Sequence, residues 1–168
     1  MSARRKVTKP EAADVGHPEA QLTGFLAKYT PEIAALAGRA LTRMRERLPG
    51  AIELVYDNYN ALAIGFGPSE RASEAIFSIA LFPRWVSLFF LQAKGLPDPD
   101  RLLRGSGHTA RHIVLKSVDT LDDPGVRALM TRALAAAVVP LDPSAPRRLI
   151  IKSISAKQRP RRPAKASR

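Results

Sequence analysis

The segment from Arg104 to Arg111 contains the residues best suited to hold an anion. Its first five residues read Arg-Gly-Ser-Gly-His. Because glycine lacks a Cβ, neighbouring backbone N–H groups can point together, and two arginine side chains supply positive charge. The segment lacks the strand-then-helix context and the Lys-Ser/Thr pair of a P-loop, so nucleotide binding by this segment is not expected. The alternatives are a tight turn into a strand and an anion or ligand contact formed by Arg104, Gly105, Ser106, Gly107, His108 and Arg111.

Two histidines stand at a spacing that suits a metal only in a helix. His108 and His112 are four residues apart, and side chains at that spacing share a face in a helix. The glycines before them and the β-type residues after them favour an extended chain, in which four residues span about 13 Å at ~3.3 Å per residue. We therefore expect a structural or surface role for both histidines.

Side chains for catalysis are few in this sequence. The chain has no cysteine, which excludes disulfides, thiolate metal sites and cysteine nucleophiles. Ser106, His108 and Asp119 are of the types found in hydrolytic triads, but their context marks neither a nucleophile elbow nor an orienting partner. The sequence therefore predicts a non-enzymatic protein.

Positive charge is concentrated at the C-terminus. The formal net charge is +12, and residues 147–168 contain nine basic residues and no acidic one. Such a segment can contact phosphates with an affinity that falls as salt rises. It contains no aromatic residue for base stacking, so nucleic-acid binding by it would be independent of sequence; the alternative is a solubilising flexible end. The candidate nucleic-acid contacts are Arg147, Arg148, Lys152, Lys157, Arg159, Arg161, Arg162, Lys165 and Arg168.

The elements that position these residues are helices followed by strands and a further helix. Apolar residues from Leu22 to Tyr29 have helical spacing, and Thr30-Pro31 supplies the N-cap and first residue of a second helix that ends at Leu48. Asp122-Asp123-Pro124 starts a later helix in the same way. Five segments between them alternate with period two, as strands do: residues 51–56, 61–66, 75–82, 85–92 and 111–116.

This order predicts an α+β fold with an antiparallel sheet of about five strands, packed by the N-terminal and C-terminal helices. We assign residues 1–19 to a disordered lead-in, 20–146 to the domain, and 147–168 to a mostly disordered basic tail with a candidate edge strand at 148–155. The most apolar stretch is broken by Pro83-Arg84 and is too short to cross a bilayer. No secretory signal is visible, so we expect a cytoplasmic protein without membrane contact.

The middle of the chain resembles a known family. The segments Trp-Val-Ser-Leu-Phe-Phe at 85–90, Lys-Gly-Leu-Pro-Asp-Pro at 94–99 and Leu-Arg-Gly-Ser-Gly-His at 103–108, with Arg111-His112, resemble the YdhG-like family of small bacterial domains. With the flanking helices, the resemblance covers about residues 22–138. It implies an α+β domain of frataxin-like type, in a family where most members have no assigned activity.

The resemblance also implies iron as a possible ligand. At least one member of the family resembles frataxin-like intracellular iron chaperones. An exchangeable iron site needs clustered oxygen donors, mainly carboxylates. Frataxin-type proteins carry them along the first helix, whereas here the helix from residue 31 to 48 offers only Glu32 and Glu46. The expectation is a non-enzymatic module that binds iron or another small ligand. A nucleic-acid-associated protein acting through the basic tail, and an interaction scaffold, are the alternatives.

Overall fold

The computed structural model describes residues 17–164. Of the predicted lead-in, residues 1–16 lie outside the described residues, and residues 18 and 19 already belong to the first helix. Short 3-10 helices occupy Ala72–Glu74 and Val118–Asp122. The α-helices are α1 Pro18–Leu26, α2 Pro31–Arg47 and α3 Pro124–Ala135. The strands are β1 Ile52–Asp57, β2 Leu62–Gly67, β3 Phe77–Leu81, β4 Val86–Phe90, β5 Arg111–Leu115 and β6 Arg148–Ile154.

Two of the helices begin at the positions that the capping residues in the sequence predicted. The Thr30 hydroxyl accepts a hydrogen bond from the Ile33 N–H at 3.4 Å, and Asp123 Oδ1 accepts one from the Gly125 N–H at 2.8 Å. Each cap is followed by a proline as the first helical residue, where its missing N–H is not needed. None of the helices within residues 17–164 is long and apolar enough to cross a membrane.

The strands form one six-stranded sheet in the order β5-β4-β3-β2-β1-β6. Strands β1 to β5 pair antiparallel with their neighbours along the chain, which confirms the predicted α+β fold. The sheet is mixed because β6 pairs parallel with β1. After α3 the chain returns to the start of β1, so Arg148 lies beside Ile52 and β6 runs in the same direction as β1.

One face of the sheet holds the core. Helix α2 contributes Ala37, Leu41 and Met44 to the same buried cluster as the strands. Removing this apolar surface from water is the main stabilising term of such a domain. The register places one buried apolar residue from each of five strands in a single row: Val55, Ile64, Ile79, Leu88 and Ile113.

Strand β1 carries two carboxylates on this core-facing side. Glu53 and Asp57 alternate with Val55, and their side chains are 1% and 0% exposed. A buried carboxylate is strongly destabilising unless cations and hydrogen-bond donors surround it. Arg45 of α2 and Arg147 both donate to Glu53 Oε2, each from Nε at 2.9 Å.

Asp57 is held in the same way by residues from the two ends of the domain. Lys28 Nζ lies 2.6 Å from Asp57 Oδ2, and Arg161 Nη2 lies 2.8 Å from Oδ1. Burial by itself raises the pKa of Asp57, but hydrogen bonds from Lys28, Gln158 and Arg161 outweigh burial and leave the pKa below its ordinary value. Asp57 therefore remains a carboxylate and needs its cations.

The expected mostly disordered basic tail has to be corrected for residues 147–164. Residues 148–154 form β6, in the segment expected as an edge strand, and residues 155–164 continue along the ends of the strands. The prediction counted the cations of this segment as free, whereas Arg147 and Arg161 are the partners of the carboxylates on β1. Lys165 and Arg168 lie outside the described residues.

We predict that Arg161→Leu destabilises the protein through this pairing. Arg161 is 6% exposed, and its removal leaves Asp57 buried with Lys28 as its remaining cation. We expect the free energy of unfolding in urea to fall by about 3 kcal/mol. Lys157→Leu, a control at an exposed lysine of the same segment, should change it by less than about 0.5 kcal/mol. Equal effects of the two substitutions would contradict the pairing.

A candidate anion-binding cleft at the C-terminal segment

The C-terminal segment, residues 155–164, is attached to the β1–β2 turn by backbone hydrogen bonds. The Ser155 N–H donates to Asp57 O at 2.9 Å, and the Arg159 N–H donates to Tyr59 O at 2.9 Å. Gln158 Nε2 also donates to Asp57 O at 3.0 Å. These bonds fix the course of the segment across the end of the sheet.

Arg161 anchors the segment through its side chain. Besides Asp57, its guanidinium donates to the carbonyl oxygens of Asn58 at 2.6 Å and Tyr59 at 3.4 Å. It also lies 5.8 Å from the centre of the Tyr29 ring, within the range of a cation–π contact. Because Arg161 has so many partners inside the protein, its charge is not offered to a ligand.

The segment and two neighbouring turns enclose a cleft of about 600 Å³. We call it the C-terminal cleft. Its volume lies within the range of small-ligand sites. It is lined by Asn60 of the β1–β2 turn, by Phe82, Pro83, Arg84 and Trp85 of the β3–β4 turn, and by Arg159, Pro160, Arg162, Pro163 and Ala164 of the C-terminal segment.

A stacked aromatic pair forms one wall of the C-terminal cleft. The rings of Phe82 and Trp85 have centroids 4.9 Å apart and planes at 21°. The Phe82 N–H donates to Trp85 O at 2.9 Å, which closes the β3–β4 turn and holds both rings in place. Trp85 is still 42% exposed; the predicted strand 85–92 included it, whereas β4 begins at Val86. Phe82 stacks on the indole, and a large part of the Trp85 side chain remains accessible to a ligand.

Three arginines give the C-terminal cleft its charge, and no aspartate or glutamate of residues 17–164 lines it. Arg162 is held by the carbonyl oxygens that follow α1: its Nε donates to Lys28 O at 3.2 Å and its Nη2 to Ala27 O at 3.4 Å. The side chains of Arg84 and Arg159 have no hydrogen-bond or ion-pair partner within the described part of the chain. Their positive charge is therefore not neutralised locally and favours an anion in the cleft.

A second cleft, of about 610 Å³, lies beside β5 and carries both signs of charge. Three basic and three acidic residues line it: Arg101, Arg104, Lys116, Asp119, Asp122 and Asp123. Asp122 is paired with Arg43, whose hydrogen bond lowers the pKa of that carboxyl. Because acids and bases line it in equal number, this cleft shows less preference for an anion than the C-terminal cleft does.

The predicted anion turn is placed mostly outside both clefts. Of its six candidate residues, Arg104 lines the β5 cleft, and the other five line neither. Gly105 has φ +103, a conformation that favours glycine, and Arg111 Nε donates to Gly107 O at 2.9 Å. Two backbone hydrogen bonds join Arg104 to His112. The segment thus has the form of the expected tight turn; Gly105, Ser106, Gly107 and His108 are exposed within it.

The two histidines and the triad residues are also accounted for. The His112 ring lies 5.1 Å from the Phe89 ring in a tilted arrangement, whereas His108 is exposed in the turn. Asp119 lies in a 3-10 helix, where its N–H donates to the Ser117 hydroxyl at 3.1 Å. Within residues 17–164, no group of three or more acidic or histidine side chains is arranged to hold a metal ion.

The described cations of the predicted tail have three different surroundings. Arg147 and Arg161 bind buried carboxylates, and Arg148 pairs with Glu70 at 2.7 Å. Lys152 donates to Glu70 O at 3.2 Å. Arg159 and Arg162 line the C-terminal cleft, while Lys157 is exposed elsewhere on the segment.

The sequence pattern did not predict that these arginines lie around the same cleft as an aromatic pair. The tail contains no aromatic residue, but the fold brings Phe82 and Trp85 to it from more than 70 residues away. The alternation along β1 gave no signal for the buried acids, because Ile52, Leu54 and Tyr56 form the apolar set and the pattern favours the solvent face for Glu53 and Asp57. Arg84 beside Trp85 was the usable signal.

Comparisons with known proteins do not assign a ligand to this cleft. No family model, curated protein or solved structure matches the chain. The function is therefore argued from the geometry, with the YdhG-like resemblance remaining an expectation from the residues that carry it.

We predict that ionic quenchers of tryptophan fluorescence detect the positive charge of the C-terminal cleft. Trp85 is the only tryptophan of the chain, and a positive potential concentrates iodide and excludes caesium. Relative to a free tryptophan analogue, iodide should quench Trp85 at least about twofold more efficiently than caesium at low ionic strength. Added inert salt should remove the difference, since the Debye length falls to about 3 Å at 1 M.

The control removes one positive charge from another exposed site. Arg84→Gln with Arg159→Gln should reduce the preference for iodide, whereas Arg39→Gln, at an exposed arginine of α2, should leave it intact. Equal quenching of the unmodified protein by the two ions would contradict a cationic cleft.

Proposed function

We propose that this chain is a non-enzymatic binding protein that holds a phosphate-bearing ligand in the C-terminal cleft. The observation that carries the proposal is the set of three arginines, Arg84, Arg159 and Arg162, lining a cleft without an acidic residue. Two of these guanidinium groups have no partner within residues 17–164. A ligand with several negative oxygens supplies the hydrogen-bond acceptors that they lack.

Arginine chemistry favours phosphate as the bound group. The guanidinium is planar, carries its charge at all physiological pH values and donates two parallel hydrogen bonds to oxygens of a phosphate or carboxylate. Phosphate esters carry up to about two negative charges per group, which suits a site with three cations. Pro160 and Pro163 flank the arginines on the C-terminal segment and restrict its backbone, so less conformational freedom is lost on binding.

The geometry favours an anion over iron as the ligand. The two carboxylates of β1, which are donors of the type that iron needs, are engaged elsewhere: Glu53 is bound by Arg45 and Arg147, and Asp57 by Lys28 and Arg161. Both are buried; Glu53 binds Arg147, just before β6, and Asp57 binds Arg161 of the C-terminal segment. Iron handling therefore rests on the family resemblance, whereas the anion proposal rests on contacts in this chain.

We predict that pyrophosphate binds the full chain with a stoichiometry of one at low ionic strength, measured by titration calorimetry. Replacing Arg84 and Arg159 with glutamine should weaken binding by at least about tenfold, because each removes a charge-assisted hydrogen-bond donor. Arg39→Gln makes half of this charge change on a distant surface and should weaken binding by less than about twofold. A comparable loss in both variants, or no saturable binding, would overturn the proposal.

A further inference from the structure

We propose that the ligand of the C-terminal cleft is a nucleotide unit, whose base stacks on Trp85 while its phosphate is bound by Arg159 and Arg162. This inference rests on the proposed function and adds the identity of the group attached to the phosphate. It applies equally to a free nucleotide and to an unpaired nucleotide of a single-stranded nucleic acid, because both present a planar base beside a phosphate.

The evidence for base stacking is the exposed indole of Trp85. Trp85 is among the few large hydrophobic side chains of residues 17–164 that are exposed, at 42%. It is also held rigidly, by the Phe82 ring at 4.9 Å and by the hydrogen bond that closes the turn. An aromatic ring that is stacked on a neighbour and still largely exposed can extend its stack with a planar group, and nucleobases stack well on tryptophan.

The evidence for phosphate binding is the set of arginines in the cleft. Arg159 and Arg162 of the C-terminal segment line the same cleft as Trp85, and Arg84 precedes the tryptophan in the β3–β4 turn. A ligand in the cleft therefore meets an aromatic surface and guanidinium groups together. Inorganic phosphate uses the arginines alone, whereas a nucleotide unit uses both walls.

Base accessibility separates the ligand classes. In a duplex the base faces are covered by neighbouring base pairs, so a duplex can reach the arginines through its backbone but not the indole. Single strands and free nucleotides leave a face open for stacking. An exposed tryptophan beside arginines therefore favours unpaired nucleotides over duplex nucleic acid.

The test is a titration of the full chain with four ligands, followed by Trp85 fluorescence and by anisotropy of labelled oligonucleotides. The ligands are a nucleoside monophosphate, a short single-stranded oligothymidine, an abasic strand of equal length and a duplex of equal length. We expect the first two to quench Trp85, and the abasic strand and the duplex to bind at least about fivefold more weakly than the oligothymidine. Quenching by the oligothymidine alone would assign the site to a nucleic-acid strand.

Variants separate stacking from charge. Trp85→Leu should weaken oligothymidine binding by at least about fivefold, and Trp85→Phe should retain most of the affinity. Trp85→Leu should leave the salt dependence of binding unchanged, whereas Arg159→Gln should reduce the slope of log K against log salt by about 0.7, the value for one phosphate contact with a single strand. The urea midpoint of each variant shows whether it is folded.

The outcomes distinguish nucleotide binding from the proposed function, which is binding of a phosphate-bearing ligand. If the abasic strand or the duplex binds as tightly as the oligothymidine, or Trp85→Leu binds normally, base stacking is wrong while phosphate binding stands. If pyrophosphate and all four ligands fail to bind, both the nucleotide inference and the proposed function are wrong.

Discussion

A carboxylate on the core-facing side of a strand has to be neutralised, and β1 carries two of them. Glu53 and Asp57 receive cations from α2 and from the chain around α1, but Arg147 and Arg161 come from the far C-terminal end. Leaving either acid without its partner would leave a buried charge only partly compensated. This requirement holds the last part of the chain against the sheet, makes β6 a parallel neighbour of β1, and sets the position of everything that follows β6.

The C-terminal cleft is a consequence of that attachment. Once Arg161 is bound to Asp57, its neighbours Arg159 and Arg162 line the same cleft as Phe82 and Trp85, where a freely moving tail would not hold them. The positive charge of the C-terminus therefore has two separate uses. Some cations complete the fold by compensating buried acids, and others remain at the surface of a cleft that has no acid of its own. The net charge of +12 alone does not reveal this division.

Local features of the fold were predictable from sequence, while the long-range pairings were not. The caps at Thr30 and Asp123, and the period-two strands, depend on neighbouring residues, so the α+β class followed from them. The pairing of Asp57 with Arg161 joins residues 104 positions apart, and nothing in the local pattern selects that arginine among the nine basic residues of positions 147–168. The candidate anion turn was found because glycines are conspicuous in sequence. The cleft was missed because its two walls are distant in sequence.

The C-terminal cleft requires that the C-terminal segment is held on the sheet in solution. Amide hydrogen exchange of the intact protein measures this at the Ser155 and Arg159 N–H groups, which donate to Asp57 O and Tyr59 O at 2.9 Å. We expect both amides to exchange at least about a hundredfold more slowly than in an unfolded chain, since exchange requires the segment to detach. Exchange of both amides at the rate of an unfolded chain would show that the segment is not attached.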